Sequence, residues 1–308
     1  MKAPFPITPA LTAIAIAYRN SRMIADNVLP RVPVSKQEFK YRKFALADGF
    51  TLPDTKVGRT SQPNQVEFGF TEATDATRDY ALDDPIPQVD IENAPDGYDP
   101  VGRSTEQITN LILLDREVRV ANKVFNANTY ATANKTTLTG TGQWSDFANS
   151  DPLGTILAAL DGCVMRPNIG ILGRPVWTKL RQHPKVVKAV LGNSGDSGVA
   201  SLEAVAQLLE LEALYVGEAW LNSAKKGQAA NLQRTWGKHV SFIYRDQLAT
   251  ADSGVTFGFS AQFGNRVAGS IADEDIGMRG GQRVRVGESV QEVICANDLG
   301  YFFQNAVA

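Results

Sequence analysis

Residues 19–70 carry the pattern that organises this chain, beginning Arg19-Asn-Ser-Arg-Met-Ile-Ala-Asp-Asn-Val-Leu-Pro30 and continuing through Val32-Pro-Val34. The strand-like alternation Phe39-Lys-Tyr-Arg42 follows, and after a polar span containing glycine and proline a second alternation, Val66-Glu-Phe-Gly-Phe70, returns. Hairpin loops in compact domains usually have about two to five residues, whereas this span has about twenty without clear periodicity. The sequence therefore predicts a long hairpin that leaves its own domain and needs a neighbouring surface, which points to assembly.

Composition places the chain among ordinary globular proteins. It has 308 residues, of which 43% are hydrophobic and 21% charged, enough for one large domain or two medium ones. The formal net charge of −2 is not that of a dedicated nucleic-acid binder. No apolar run is long enough to span a bilayer, and the apolar stretch Ala10–Ala17 reads as an ordered arm or short helix rather than a secretion signal.

Charge is distributed unevenly in the first hundred residues. Residues 31–59 hold seven Lys/Arg against three Asp/Glu, and residues 71–99 hold nine Asp/Glu against Arg78 alone. Either these are two solvated faces, or the basic hairpin of one copy lies over the acidic segment of another, because complementary charge fixes the register of association. In the second interpretation charge sets the register and aromatic residues supply adhesion. The candidate contact residues between subunits are Phe39, Lys40, Arg42, Lys43, Phe68, Phe70, Asp83 and Asp84.

The chain lacks the common motifs of catalysis and cofactor binding. It has no G-x-x-x-x-G-K-S/T or G-x-G-x-x-G pattern, no C-x-x-C pair and no H-E-x-x-H, so no catalytic, cofactor-binding or metal residues are predicted. Cys163 and Cys295 lie far apart in apolar settings, as expected of buried thiols in a reducing compartment. Pairing of Cys163 with His183 or His239 stays open, although a catalytic thiol needs an exposed, electropositive setting. The acidic residues between 83 and 99 lack the spacing of a calcium loop, which favours a solvated or interface face.

A long helix is predicted over residues 104–127, about 36 Å at about 1.5 Å per residue. Ser104 and Gln107 form a capping box at its start, and apolar residues recur behind it at helical spacing. The residues expected to face a sheet are Ile108, Leu111, Ile112 and Val118.

The middle of the chain, about residues 150–270, reads as a mixed α/β unit. Asp151 and Pro152 open a helix as N-cap and first helical residue. Short helices and short apolar strands then alternate, and further strands follow towards the C-terminus. The C-terminal strands are expected to join the long helix, so that the chain leaves one domain and later returns to it.

Several local patterns occur in a fixed order along nearly the whole chain. They are the arm Tyr18–Val34, the hairpin segment Phe39–Phe44, the long helix after an acidic proline-containing link, Trp177–Pro184 with the helix–strand step ending at Gly217, and the short apolar C-terminus. In this order and spacing the chain resembles the major capsid proteins of tailed double-stranded DNA bacteriophages, which have the HK97-type fold.

The resemblance implies an α+β, HK97-type capsid fold with five parts. They are an N-terminal arm (1–30), an extended β-hairpin loop (31–80), a peripheral domain with a spine helix (81–149, helix 104–127), an axial α/β domain facing capsomer centres (150–270), and a C-terminal return to the peripheral domain (271–308).

The resemblance also implies a structural shell protein, not an enzyme, that needs no cofactor. It would self-assemble as a homo-oligomer of pentamers and hexamers into an icosahedral virion capsid that encloses double-stranded DNA without sequence-specific binding. Separate scaffolding, portal and decoration proteins are candidate partners, no membrane is involved, and synthesis and assembly would take place in the bacterial host cytoplasm.

Two alternatives stay open from the sequence. The chain could form the shell of a bacterial encapsulin-type compartment, which packs enzymes instead of DNA. It could also be a cytosolic hydrolase with an unrecognised site. Particle size separates the classes, because an enzyme would run as a small oligomer and a shell as megadalton particles.

Overall fold

Two β-sheets covered by helices organise the chain in the computed structural model, which describes residues 5–43, 50, 52–65, 71–192, 198–225, 227–251 and 253–308. The helices are α1 Pro9–Ala17, α2 Ala25–Val28, α3 Gln88–Glu92, α4 Pro100–Val124, α5 Pro152–Asp161, α6 Arg174–Leu180, α7 Pro184–Leu191 and α8 Leu202–Leu208. The strands are β1 Arg31–Val34, β2 Glu38–Lys43, β3 Thr71–Ala76, β4 Arg78–Pro87, β5 Lys135–Thr137, β6 Ile169–Gly173, β7 Ala213–Gly217, β8 Trp220–Asn222, β9 Leu232–Arg234, β10 Val240–Ile243, β11 Gly258–Asp273, β12 Gly281–Ile294 and β13 Gly300–Gln304.

The first sheet has four strands in the order β1-β11-β12-β4. β11 and β12 form a long antiparallel hairpin whose register shifts at a β-bulge between Phe263 and Val267. Gly264 lies in this bulge with a φ of 66°, a conformation that favours glycine. β1 adds parallel to β11 and β4 adds antiparallel to β12, so the extended loop between β1 and β4 is anchored on both edges of the sheet.

The long helix α4 begins earlier than the sequence predicts. Asp99 is its N-cap and accepts a hydrogen bond from the Val101 amide at 3.0 Å, with Pro100 in the first turn. The predicted capping box is wrong, because Ser104 lies buried inside the helix and donates a hydrogen bond to Asp84 at 2.6 Å. The helix ends at Val124 rather than at residue 127.

The buried face of α4 also differs from the predicted one. Ile108 and Ile112 pack against the four-stranded sheet as expected, but Leu111 is 52% exposed and Val118 is only half-buried. The face that is buried instead contains a charged pair that apolar periodicity cannot reveal. Its further buried members are Leu113, Arg116, Glu117, Val120, Ala121 and Val124.

The N-terminal arm contains the predicted short helix. α1 packs on β11 and α4 through Leu11 and Ala15, and the Thr12 hydroxyl donates a hydrogen bond to the Ala268 carbonyl at 2.9 Å. The arm then follows α4 to the single turn α2, which leads into β1.

The second sheet has five strands in the order β5-β13-β10-β6-β7 and packs against α5 to α8. Asp151 caps α5 as predicted and accepts a hydrogen bond from the Gly154 amide. β13 lies between β10 and β5, so the predicted return of residues 271–308 to the peripheral domain is wrong for the last strand. Phe302 and Phe303, each 1% exposed, point to opposite faces of this sheet and fill the core on both sides.

Two predicted domain boundaries need correction. The boundary at residue 270 falls inside β11, which runs without interruption from Gly258 to Asp273. The segment before residue 150 includes β5, which pairs with β13 and therefore belongs to the five-stranded sheet.

The extended loop is shorter than the predicted 31–80. β1 and β4 belong to the four-stranded sheet, which leaves β2 and β3 as the paired stem of the loop, from Glu38 opposite Ala76 to Lys43 opposite Thr71. The predicted return strand Val66–Phe70 lies outside the described residues.

Candidate functional site: the assembly surfaces

The stem of the extended loop is fixed to its own subunit by an aromatic cluster. Phe39 and Tyr41 are 7% and 8% exposed and their ring centroids lie 6.1 Å apart. Tyr41 meets Phe259 of β11 edge-on at 6.4 Å. The structure thus places the candidate Phe39 inside the subunit, where it positions the stem and leaves little surface for a neighbour.

The basic strand of the stem lies beside an acidic strand of the same subunit. The Lys40 ammonium contacts the Glu72 carboxylate at 2.9 Å, and this hydrogen bond raises the pKa of Lys40. Arg42 is opposite Glu72 in the strand register, and Lys43 is exposed at the end of the stem. Part of the charge asymmetry seen in the sequence is therefore balanced within one chain.

Beyond the stem, the described part of the loop is open to solvent. Residues 52–65 are all exposed, and their hydrogen bonds join positions within the segment, such as the Asn64 amide to the Asp54 carbonyl at 2.8 Å. Leu52 is 89% exposed and Val57 is 47% exposed. Phe68 and Phe70, the other aromatic candidates, lie outside the described residues.

The two acidic candidates have partners in their own chain. Asp83 receives two hydrogen bonds of 2.6 Å from Arg285, and these lower the pKa of Asp83. Asp84 accepts the hydrogen bond from Ser104. The side chains of Asp90, Glu92 and Asp96 are exposed further along the acidic segment.

A chain of charged side chains joins the arm to both the long helix and the four-stranded sheet. Arg31 of β1 contacts Asp26 and Glu288, each at 2.9 Å, and Arg266 also contacts Glu288 at 2.9 Å. Burial opposes ionisation of Glu288, but attraction by Arg31 and Arg266 outweighs it and lowers the pKa of this carboxyl.

Arg116 extends this chain of charges from the centre of α4. Its guanidinium contacts Asp26 and donates hydrogen bonds of 2.9 Å to the Leu29 carbonyl and the Ser260 hydroxyl. Glu292 lies 4.0 Å from its Nε and also pairs with Arg119. The network fixes the arm where it enters the sheet, and so fixes the point from which the extended loop starts.

Glu117 ties three parts of the molecule together. Its wholly buried carboxylate accepts hydrogen bonds from the Ile24 and Ala25 amides at 3.0 and 2.7 Å, which caps α2. It also accepts a hydrogen bond of 2.5 Å from the Trp236 indole, which belongs to the core between the arm, α4 and the five-stranded sheet. Burial raises the pKa of Glu117.

No protein-family model matches this sequence, but full-length relatives exist. The sequence is 63% identical, over 306 residues that cover 99% of both chains, to the major capsid protein of Pseudomonas phage JBD67. The chain belongs to the phage major capsid protein family. A second relative, the major capsid protein of Burkholderia phage BcepMu, is 27% identical over 244 residues, which cover 77% of this chain and 76% of that protein.

Solved structures share the fold of this capsid protein. A phage-related protein from Bordetella bronchiseptica RB50 matches with a TM-score of 0.76 and 21% identity, covering 99% of this chain and 98% of that chain. A capsid chain of cyanophage P-SCSP1u matches with a TM-score of 0.59 and 10% identity, covering 94% and 89% of the two chains. The resemblance drawn from the sequence, the α+β HK97-type fold and the role of a structural shell protein of the virion capsid are thereby confirmed.

The thiols and imidazoles of this capsid protein serve its packing. Cys163 is buried, which raises its pKa to about 11, and its Sγ donates to the Ala159 carbonyl. His183 is fully buried, with Nε2 at 3.0 Å from the Ser150 hydroxyl and Nδ1 accepting the Lys185 amide. His239 accepts the Asn305 amide through Nδ1, so neither histidine is directed at Cys163. Among the described residues no group of acidic, His or Cys side chains could hold a metal ion, and no helix could span a membrane.

Arg116 and Glu117 are structural residues that the sequence patterns did not single out. The available signal was their position on α4, because both fall between buried apolar residues, Leu113 on one side and Val120 on the other. Charged residues on an apolar face indicate a buried, paired network.

Proposed function

We propose that many copies of this chain form pentamers and hexamers that close into an icosahedral shell around phage double-stranded DNA. The observation that carries the proposal is the exposed loop segment 52–65 on a stem held rigidly by its own subunit, in a member of the phage major capsid protein family. A loop of this length normally has a functional contact outside its own domain.

The purified protein tests this proposal directly. Electron microscopy and light scattering should show closed icosahedral particles of megadalton mass. A protein that stays a small oligomer under all assembly conditions would contradict the proposal.

Charge is proposed to set the register between copies. The basic residues Lys40, Arg42 and Lys43 of one copy would lie over the acidic segment of another, with Lys40 shared between that segment and Glu72 of its own subunit. Because Asp83 and Asp84 have partners in their own chain, the exposed carboxylates further along are the better partners; they are Asp90, Glu92 and Asp96. Each exposed pair contributes at most about 1 kcal/mol, so charge selects the register while apolar contacts hold it.

Charge reversal tests the register. The triple variant Lys40→Glu, Arg42→Glu, Lys43→Glu should fold with the circular dichroism spectrum of the wild type but close few shells. Adding Asp90→Lys, Glu92→Lys and Asp96→Lys should restore closure, since the pairs are re-formed with exchanged signs. Normal shells from the first variant, or no recovery in the second, would remove the charge-register proposal.

The contents and further partners are also proposals. A formal net charge of −2 disfavours tight binding of the DNA backbone, so nuclease-protected DNA without sequence preference is expected inside the shell. Scaffolding, portal and decoration proteins are candidate partners, and assembly is proposed to occur in the host cytoplasm. Particles filled with an enzyme and lacking DNA would favour the bacterial compartment instead.

A further inference from the structure

The β8–β9 hairpin, residues 219–238, differs in charge from the rest of the molecule. Residues 219–245 hold five Lys/Arg and no Asp/Glu, although the whole chain has 33 Asp/Glu against 31 Lys/Arg. Three of these basic residues belong to the described part of the hairpin, and they are Lys225, Arg234 and Lys238. A cluster of like charges creates a local field that attracts a partner of opposite sign.

The hairpin leaves the five-stranded sheet from a fixed base. Ala219, which follows β7 closely, is buried, and its carbonyl accepts a hydrogen bond from the Thr235 amide at 3.0 Å. Trp236 comes next, is 0% exposed, and donates its indole N–H to Glu117 of α4. The exposed part of the hairpin is therefore held in place by residues of the core.

One face of the hairpin presents an aromatic ring beside a guanidinium. Trp220 lies opposite Arg234 in the strand register, and the guanidinium carbon of Arg234 lies 4.4 Å from the centroid of the Trp220 ring. Trp220 is 48% exposed, and Leu232 on the same face is 61% exposed. The ring orients the guanidinium without neutralising its charge.

The positive charges of the hairpin are not balanced within the subunit. Glu218, immediately before the hairpin, pairs with Arg174 at 2.7 Å. In the part of the chain that the structure describes, no carboxylate forms an ion pair with Lys225, Arg234 or Lys238. The stem of the extended loop differs, because there Glu72 lies beside Lys40. A surface that is basic throughout is complementary to a polyanion.

The other exposed side chains favour nucleic acid as that polyanion. They are neutral groups that form hydrogen bonds, namely Asn222, Ser223, Gln228, Asn231 and Gln233. Lys and Arg together with Asn, Gln and Ser are the side chains that contact phosphate and sugar oxygens, and such contacts require no particular base sequence.

We infer that the β8–β9 hairpin contacts the phosphate backbone of the DNA that the shell encloses. Lys225, Arg234 and Lys238 neutralise phosphates, and the neutral side chains add hydrogen bonds. The contact of each copy is weak, since the whole chain has a formal net charge of −2, and many copies act together. This inference rests on the proposed shell and its DNA content, and it adds the surface that meets the DNA.

Binding of a short fluorescent DNA duplex to the free subunit tests the contact. Lys225→Gln with Lys238→Gln should weaken binding at low salt at least about fivefold and should reduce the slope of log affinity against log salt by about two. The matched control is Lys179→Gln with Lys188→Gln, which removes two exposed lysines of α6 and α7 and changes the net charge equally. The control should bind like the wild type. Equal losses in both variants, or no binding by the wild type, would overturn the inference.

The tryptophans give an independent readout. Trp144, Trp177 and Trp236 are buried, whereas Trp220 is 48% exposed, so quenching of the protein fluorescence by acrylamide reports mainly on Trp220. The duplex should protect Trp220, and Trp220→Phe should remove the protected signal. Polyglutamate serves as the probe for an acidic protein partner. Protection by polyglutamate as strong as that by the duplex would assign the hairpin to an acidic polypeptide and overturn the inference.

Assembled particles separate this inference from the proposed shell. Trp220 should be quenched less in particles filled with DNA than in particles assembled without DNA. Equal protection in both would show that another copy covers the hairpin, which overturns the inference and leaves the shell intact. Absence of particles from the wild type would contradict the proposed shell itself, and the duplex measurement on free subunits would still decide whether the hairpin binds a DNA backbone.

Discussion

Arg116 shows how a single side chain can hold the arm in place. It is 1% exposed, yet four polar groups lie around its guanidinium: Asp26, the Leu29 carbonyl, the Ser260 hydroxyl and Glu292. Removing one partner from a buried ionic network leaves its other charges unpaired, which is more damaging than never having built the network. The side chain therefore matters to the subunit before any assembly takes place.

We expect Arg116→Ala to lower the free energy of unfolding of the free subunit by about 3–5 kcal/mol. The matched control on the same helix is Arg103→Ala, which removes an exposed contact of 3.4 Å with Glu106 and should cost at most about 1 kcal/mol. Chemical denaturation of both variants measures the difference. Equal losses would mean that the buried network does not stabilise the arm.

The lowered pKa of Glu288 predicts a dependence of stability on pH. A carboxyl whose pKa is lower in the folded state contributes stability above its unfolded pKa of about 4.3, and this contribution is lost as pH falls through the folded value. Glu288→Gln should therefore destabilise the subunit most at neutral pH, and the difference from wild type should shrink in acid. The raised pKa of Glu117 changes stability with pH in the opposite direction, and it does so equally in the wild type and in Glu288→Gln. The quantity to measure is therefore the difference in free energy of unfolding between the wild type and Glu288→Gln. A difference that is constant with pH would contradict the assigned ion pairs.

At the residue scale the sequence was a good guide where one local signal was strong. Asp151-Pro152 predicts a helix start correctly, and Asp99-Pro100 is the same signal, but Ser104 and Gln107 inside the helix form a second, competing start signal. Which of the two signals begins the helix depends on a distant residue, because the Ser104 hydroxyl donates its hydrogen bond to Asp84 rather than capping the helix. Local sequence patterns do not indicate such hydrogen-bond partners from distant parts of the chain.

At the scale of the element, the long helix presents two adjacent residues in opposite environments. Ile112 is 2% exposed against the four-stranded sheet, and Leu111 is 52% exposed. Ile112→Asp should destabilise the subunit by several kcal/mol because it buries an unpaired carboxylate, with about 3 kcal/mol as a lower estimate. Leu111→Asp should unfold at nearly the wild-type denaturant concentration. If Leu111→Asp were more destabilising than Ile112→Asp, the face of α4 that packs on the sheet would be the one that contains Leu111.

The extended loop should be the first part of the free subunit to be cut by trypsin. Its exposed residues Lys56 and Arg59 have few contacts that protect the backbone. Assembled particles should resist cleavage there, and Lys56→Gln with Arg59→Gln should abolish the early fragments and so confirm their origin. Equal cleavage rates in subunits and particles would argue that the loop lies on no neighbour.

Elements with strong periodicity were predictable, and their partners were not. The alternation around Phe39 and Tyr41 predicts β2 correctly. The pairing of β3 with β2 could not be predicted from the sequence, because Thr71–Ala76 is polar and has no alternation of apolar residues. Strand pairing depends on neighbours far away in sequence, whereas alternation is local.

At the scale of the whole molecule, the last strand makes the C-terminus part of the five-stranded sheet. Phe303 packs against Trp144 and Phe242, with centroid distances of 5.5 and 6.2 Å. Phe303→Ala should cost about 3–5 kcal/mol in the free subunit, whereas Gln304→Ala on the same strand should cost little. Thermal unfolding of the two variants provides the measurement. A small loss at Phe303 would mean that β13 is dispensable to this core.

The architecture as a whole came from the order of several weak patterns rather than from any one of them. That order indicated the shell fold and the arm, the loop and the long helix in sequence. It placed the last strand with the wrong sheet, because β13 is a short apolar run whose own sequence does not show which strands it pairs with. Sheet membership follows from which side chains interdigitate, and Phe302 and Phe303 are packed into cores on both sides of the five-stranded sheet.

The attachment of the extended loop has a mechanical consequence. Val34, at the end of β1, pairs with Phe263, and Arg78, at the start of β4, pairs with Val290, which itself pairs with Gln262. The loop therefore leaves the sheet at one level from two anchors on opposite edges, about 14 Å apart across three strand spacings. So wide a base should resist torsion about the long axis of the loop and should permit a swing about the line that joins the anchors. We therefore expect the loop to pivot in one direction more easily than in the others, which would help identical chains of the proposed shell to meet at different angles.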